Sequence, residues 1–317
     1  MYTMMKNTSL SCLMPFVVVL VMSLNTTYAQ EADPLEGTWN MTVSYEGKEL
    51  PSWLEISHSG RNTLIGRFTY AMGSARPIAE VQQFDDVFYF SIPPQWEEGA
   101  SDMEFRGKKE GESLKGTMIY TDGKSYDWTA TRAPKLAVNN NPKWGKAQKL
   151  FNGKDLAGWN PEKENQWTIT SGILTSDKAG VNLITEEKFT DFRLQAEFRY
   201  PEGSNSGLYL RGRYEVQIAD NKGTEASSIL FGGVYGLLTP NQMAAKGAGE
   251  WQTYDITLIG RKVTIVANGK TIISEQNIPG MTGGALDNDE AAPGPIMIQG
   301  DHGPVEFRKL EIMPIAN

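Results

Sequence analysis

The chain has 317 residues, a single cysteine and a formal net charge of -8. Without a basic patch or tail, that balance excludes nucleic acid and anionic lipid surfaces as partners. One cysteine excludes a disulfide framework, so stability must come from buried apolar cores, and the length allows two domains.

Taken from the start, Lys6 precedes an apolar run from Leu13 to Leu24, and Thr27-Tyr-Ala29 offers a small-x-small cleavage site. Residues 1–29 are therefore expected to be a secretory signal peptide, too short to span a membrane, and the protein to be exported to the periplasm or outside the cell. Cys12 lies ahead of the apolar run, where acylation would not occur. No second apolar stretch reaches membrane length.

Residues 34–133 carry short alternating runs, among them Gly37–Tyr45, Thr63–Tyr70, Val87–Ile92 and Leu114–Tyr120. Turn pairs such as Glu46-Gly47, Glu110-Gly111 and Asp122-Gly123 separate them. Seven or eight strands at hairpin spacing predict a small antiparallel barrel or sandwich. His58 stands alone there, and nothing in the region resembles a catalytic constellation, so it is expected to supply no site residue. Residues 134–146 hold three consecutive asparagines, Asn139–Asn141, between Pro134 and Pro142, and read as a linker without periodicity.

From residue 147 to 315 the pattern is β again. Strands are expected at Phe192–Tyr200, Gly207–Ile218, Gly233–Gly236, Trp251–Ile259 and Val305–Ile312, and Asn268-Gly269 marks a type I′ hairpin. About eleven strands over this length suggest two stacked antiparallel sheets. The fold class is thus all-β: a small barrel or sandwich followed by a jelly-roll β-sandwich.

The segment Gly207–Ile218 is the most informative. Read as one strand, it places Tyr209, Arg211, Arg213, Glu215 and Gln217 on one face, and Leu208, Leu210, Tyr214, Val216 and Ile218 mostly on the other. The first row is an aromatic, two guanidinium groups, a carboxylate and an amide, equally readable as a surface ion-pair ladder or as a grip on a polyhydroxylated ligand. Metal signals are thin: there is no histidine or cysteine cluster at ligand spacing. Asp287-Asn-Asp-Glu290 has the oxygen ligands Ca²⁺ takes, but reads first as a solvated acidic loop; no cofactor is expected.

Several motifs occur together and in order: Leu150-Phe-Asn-Gly-Lys-Asp-Leu-Ala-Gly-Trp159, Asp191–Arg199, Asn205–Ile218, Gly232-Gly-Val-Tyr-Gly236, Gly249-Glu-Trp251 and Gly294–Gly303 with Val305–Arg308. They resemble the 3-keto-disaccharide hydrolase family over residues 148–314. The resemblance implies a concanavalin-like jelly roll acting on glycosides already oxidised to a ketone at sugar carbon 3, with a carbohydrate as partner. A base would take the proton on carbon 2 and an acid would assist loss of the aglycone, by a hydrolase or lyase route. Glu215 and His302 are the expected acid–base pair, and Asp301 ranks below them. Arg211 and Arg213 would receive an oxyanion, Tyr235 would donate, Asn205, Gln217 and Gln299 would hold hydroxyls, and Tyr209 or Trp251 would stack on a sugar face. A non-catalytic carbohydrate-binding module of the same fold is the competing reading, since fold does not fix function.

Overall fold

The computed structural model describes residues 33–161 and 164–316. The signal-like segment 1–29 and Cys12 lie outside the described residues. Eight strands come first: β1 (Gly37–Tyr45), β2 (Lys48–Ser59), β3 (Thr63–Thr69), β4 (Arg76–Phe84), β5 (Val87–Ile92), β6 (Met103–Glu110), β7 (Ser113–Ile119) and β8 (Ser125–Arg132). They pair in sequence order, and β8 returns to β1, closing an antiparallel barrel. Closure leaves no edge strand exposed. Inward residues alternate along each strand, so Trp39, Phe68, Phe88, Phe105 and Trp128 fill the interior.

Twelve strands follow. They are β9 (Gln148–Lys149), β10 (Trp167–Thr170), β11 (Ile173–Ser176), β12 (Leu183–Phe189), β13 (Phe192–Arg199), β14 (Asn205–Leu210), β15 (Tyr214–Ala219), β16 (Gln252–Ile259), β17 (Lys262–Ala267), β18 (Lys270–Asn277), β19 (Gly294–Ile298) and β20 (Val305–Pro314). The large sheet runs β10-β11-β20-β13-β16-β17-β18, with β9 beside β20. The small one runs β12-β19-β14-β15. Leu208, Leu210, Val216 and Ile218 of the small sheet join Leu194, Phe198, Ile256 and Phe307 of the large one in a single core. This is the two-sheet jelly roll expected from the sequence. Gly233–Gly236 is not a strand: Val234 makes only isolated bridges to Val216 and Leu238.

The segment between barrel and sandwich has no regular strand, yet it is docked. Trp144 bridges Ile315, and Gly145 N donates to the Pro314 carbonyl at 2.8 Å. The barrel also reaches into the sandwich. Trp53 of β2 is fully buried in the sandwich core, and a side chain at Gly280 would collide with its indole. Asn40 Nδ2 donates to the Asn288 carbonyl at 2.8 Å, and Asn288 Nδ2 returns a bond to Thr42 Oγ1 at 2.7 Å.

Gly207–Ile218 is a hairpin rather than one strand. Its turn spans Leu210–Arg213, closed by Arg213 N donating to the Leu210 carbonyl at 3.1 Å. Arg211 and Gly212 both have positive φ, 55° and 68°, as a type I′ turn requires. The turn removes Arg211 and Arg213 from the polar row. Arg211 Nη2 donates to the Gly260 carbonyl at 2.5 Å and stacks over Tyr214. Arg213 Nε donates to Asp287 Oδ1 at 2.6 Å and Nη1 to the Ala292 carbonyl at 3.0 Å.

The acidic run Asp287–Glu290 is therefore not a solvated loop. Asp287 is tied to Arg213, and Glu290 is fully buried. Glu290 accepts from Tyr214 Oη at 2.6 Å and from both Arg261 Nε at 2.8 Å and Nη2 at 2.5 Å. These oxygens already have cationic and hydroxyl partners. Removing one partner of a buried pair strands the other charge. Glu290→Ala should lower the unfolding free energy by about 3–5 kcal/mol in urea titrations; a loss below about 1 kcal/mol would mean that Arg261 finds water instead.

Candidate active site

The hairpin sets the site. Tyr209 and Glu215 are direct cross-strand partners, as are Gly207 and Gln217, so their side chains leave the same face of the small sheet. That face looks into a cavity of about 390 Å³ lined by Asn205, Tyr209, Glu215, Gln217, Tyr235, Gln299, Asp301 and His302. Eight of the eleven residues singled out from the sequence, counting Asp301, thus meet in one place. Arg211, Arg213 and Trp251 do not. The two arginines are consumed by the turn, and Trp251 lies on the large-sheet side between the guanidiniums of Arg199 and Arg308, at 4.8 and 4.3 Å.

Glu215 is at the centre and 3% exposed. Its carboxyl lies over Gly207, where any β-carbon would collide with it. Burial pushes the carboxyl up to about 8; the hydrogen bond with Tyr209 and the charge of His302 pull it down, and the charge of Asp301 pushes it up. Tyr209 Oη is 3.0 Å from Glu215 Oε2 and 3.0 Å from the Gly283 carbonyl. A phenol has one hydrogen to give, and burial keeps it on Tyr209 by raising that group well above its ordinary range. While Glu215 is ionised that hydrogen points to its Oε2, which lowers the carboxyl; a protonated Glu215 instead donates to Tyr209, which then donates to the Gly283 carbonyl. The loop carrying Gly283 is held by the turn. Thr282 N donates to the Arg213 carbonyl at 3.0 Å, and Glu215 N donates to Thr282 Oγ1 at 3.0 Å.

His302 lies in the loop after β19, half exposed, with Nδ1 2.5 Å from Asp301 Oδ1. That bond raises the imidazole above its ordinary 6.5; burial opposes the rise, and the charges of Asp301 and Glu215 add to it. With Nδ1 on Asp301, Nε2 is the nitrogen left for the cavity. Asp301, ranked low because it adjoins His302 in sequence, is its partner. The amides are organised too: Gln217 Nε2 donates to Asn205 Oδ1 at 2.9 Å, while Gln217 Oε1 and Gln299 Oε1 are buried with no partner among the described residues. Tyr235 is held by its backbone N–H donating to the Glu215 carbonyl at 3.0 Å.

Sequence reasoning missed Asn182, Met72, Gly73, Trp96, Gly283 and Gly284, all of which line the cavity. Met72, Gly73 and Trp96 come from the barrel, contrary to the expectation that it would stand apart from the site. Gly284 N donates to the Ala71 carbonyl at 2.8 Å, and a side chain at Gly283 would strike the Gly73 backbone. Gly283 and Gly73 were the only signals available, as glycines where two backbones meet.

The fold and site define a jelly-roll protein with a dry carboxyl and an aspartate–histidine pair in a polar cleft. A family model described as a 3-keto-alpha-glucoside-1,2-lyase-like domain matches residues 146–313, just over half of the chain, and the chain belongs to that family. Among solved structures, two provisionally assigned glycosyl hydrolases from Parabacteroides distasonis ATCC 8503 are each 26% identical. One aligns over 56% of this chain and 93% of its own with a TM-score of 0.45. The other aligns over 53% and 98% with a TM-score of 0.44. A third from the same source is 18% identical over 54% of this chain and 94% of its own, with a TM-score of 0.45. No curated protein matches the sequence.

The buried carboxyl has a thermodynamic consequence. Between its ordinary 4.5 and about 8, the unfolded chain is ionised at Glu215 while the folded one keeps the proton. Raising the pH through that window therefore drains stability. Glu215→Gln cannot ionise, so its stability relative to the natural chain should rise steadily from about pH 5 to about pH 9 in paired urea titrations. A difference that stays flat would show that the carboxyl titrates normally.

Proposed function

We propose that this protein cleaves glycosides bearing a ketone at sugar carbon 3, with Glu215 as general acid and His302, oriented by Asp301, as general base. The observation that carries the reading is a buried carboxyl in the same cavity as an aspartate–histidine pair. A module that only bound sugar would need amides and aromatics, but no such pair. Family membership supports the substrate class.

The ketone acidifies the hydrogen on carbon 2. His302 Nε2 takes that proton, and its electron pair forms an enolate whose negative charge rests on the oxygen at carbon 3. The enolate then collapses: a double bond forms between carbons 1 and 2, the bond from carbon 1 to the aglycone oxygen breaks, and Glu215 supplies the proton to the departing oxygen. The products are an unsaturated keto sugar and a free alcohol. Water adding back across the double bond gives net hydrolysis. No arginine lines the cavity, so the side-chain amides of Asn182, Asn205 and Gln299 and the Tyr235 hydroxyl are donors offered to the enolate oxygen. Neutral donors in a water-poor site stabilise developing charge well, because the low dielectric strengthens each bond. A two-carboxylate glycosidase mechanism fits less well, because Asp301 is engaged with His302 instead of facing Glu215 across a bond.

The test is turnover of a 3-keto-disaccharide across pH. Glu215 must hold its proton, so the rate should fall as pH rises through about 8. His302 must be neutral, so the rate should also fall as pH drops through its own raised value. The two groups feel each other's charge, so the limbs belong to the pair. Glu215→Gln and His302→Ala should each lower kcat by roughly 10²–10⁴-fold, with Glu215→Gln losing the alkaline limb and His302→Ala the acid one. The opposite pattern would exchange the roles, and binding without turnover in the natural chain would favour the module. In deuterated water, label at carbon 2 of recovered substrate would report the proton abstraction directly.

A further inference from the structure

The cavity has two unlike halves. Its floor, on the small sheet and the loops beside it, is polar: Asn182, Asn205, Gln217 and Gln299 line it. Its outer wall comes from the barrel and is apolar, with Met72 60% exposed and Trp96 67% exposed at the mouth. Large apolar side chains left in water gain nothing from folding, so an exposed pair at a cavity mouth marks a contact surface.

The support beneath this wall is unusually firm for an exposed loop. Arg76, itself 5% exposed, grips Glu97 through Nη1 at 3.1 Å and Nη2 at 3.0 Å. Glu97 Oε2 also accepts from the backbone N–H groups of Gln95 at 2.7 Å and Trp96 at 3.1 Å. The Gln95 side chain accepts from Ser74 N at 2.9 Å and donates to Ser74 Oγ at 2.8 Å, tying the Trp96 loop to the Met72 loop. A buried ion pair and four backbone or side-chain bonds thus hold in place a ring that is itself mostly in water.

We infer that Trp96 and Met72 form an aglycone subsite that selects glycosides whose leaving group presents a flat aromatic face. This rests on the 3-keto-glycoside reading of the same cavity. The oxidised sugar needs partners for its hydroxyls, and those lie on the floor beside Glu215 and His302. The leaving group must then point towards the mouth. There the barrel offers an indole and a thioether, both of which pack favourably against an aromatic ring. The barrel is therefore a specificity element of the sandwich site.

Benzyl and methyl 3-keto-glucosides test this, because their leaving alcohols are of similar basicity and they differ by the ring. The measurement is the ratio of kcat/KM for benzyl over methyl, in the full chain, in Trp96→Ala and in Trp96→Phe. The natural chain should prefer benzyl by roughly tenfold. Trp96→Ala should reduce the preference to within about twofold, and Trp96→Phe should keep most of it. If both substrates decline together in Trp96→Ala with the ratio intact, Trp96 only supports its loop and the subsite idea falls. It also falls if the natural chain shows no preference. If the natural chain turns over neither compound, the chemistry assigned to the cavity is what fails. The subsite is then judged by calorimetric binding of benzyl against methyl glucoside in the same three proteins: a benzyl preference lost in Trp96→Ala supports it, and equal binding overturns it.

Discussion

Tyr209 and Glu215 face each other across an antiparallel strand pair, on a side of the sheet that water hardly reaches. The rest of the site follows from keeping that pair dry. A carboxyl in such a place costs free energy when ionised, and the cost is lowest when it keeps its proton and has somewhere to donate it. Tyr209 provides the acceptor, the Gly283 carbonyl accepts a hydrogen bond from the Tyr209 hydroxyl, and Gly207 leaves the room. Each of these is a local choice, but together they favour the protonated form of the buried carboxyl. The aspartate–histidine pair lies at the more open side, where the imidazole is half exposed to solvent.

The cationic residues beside the pair do another job. Arg211 and Arg213 would be costly to bury if they faced an empty cavity. Instead each guanidinium is spent on carbonyls and carboxylates behind the hairpin: Gly260 for one, Asp287 and Ala292 for the other. The result is a turn that cannot splay and a neighbouring loop, Thr282–Gly284, delivered to a fixed place. Contacts of this kind, one to a carbonyl and one to a half-exposed carboxylate, hold the geometry of the hairpin. Here the geometry they fix is the third member of the Glu215–Tyr209–Gly283 chain.

The barrel completes the arrangement from outside. Its strands close on themselves, so it needs no partner for its own backbone bonds. It nevertheless commits Trp53 to the sandwich core and two loops to the cavity wall. Loops supplied by a second domain can shape the mouth of a cavity without altering the sheets beneath it.

The alternation of apolar and polar residues is enough to give the face of Tyr209, Glu215 and Gln217, even though the alternation alone suggests one strand. The reason is parity. The three residues from Arg211 to Arg213 reverse the chain while returning odd-numbered side chains to the same face, so Tyr209 still sides with Glu215. The error was confined to the residues inside the turn, where Gly212 was the visible cue and Arg211 at positive φ an unusual companion for it. The spacing of Gln299, Asp301 and His302 after a hydrophobic strand was also legible, as was the two-sheet core. What no window of sequence could contain was any pairing between distant loops. Trp96 and Met72 meet Gly283 and Tyr235 only because a closed barrel sets them there, and Glu290 is buried only because Arg261 and Tyr214 converge on it. The sequence by itself determined which residues alternate, and hence which side chains share a sheet face, since strand geometry is local. Only the tertiary structure decided which charges are dry, which are paired and which loops wall the cavity, because burial and pairing are properties of distant segments brought together.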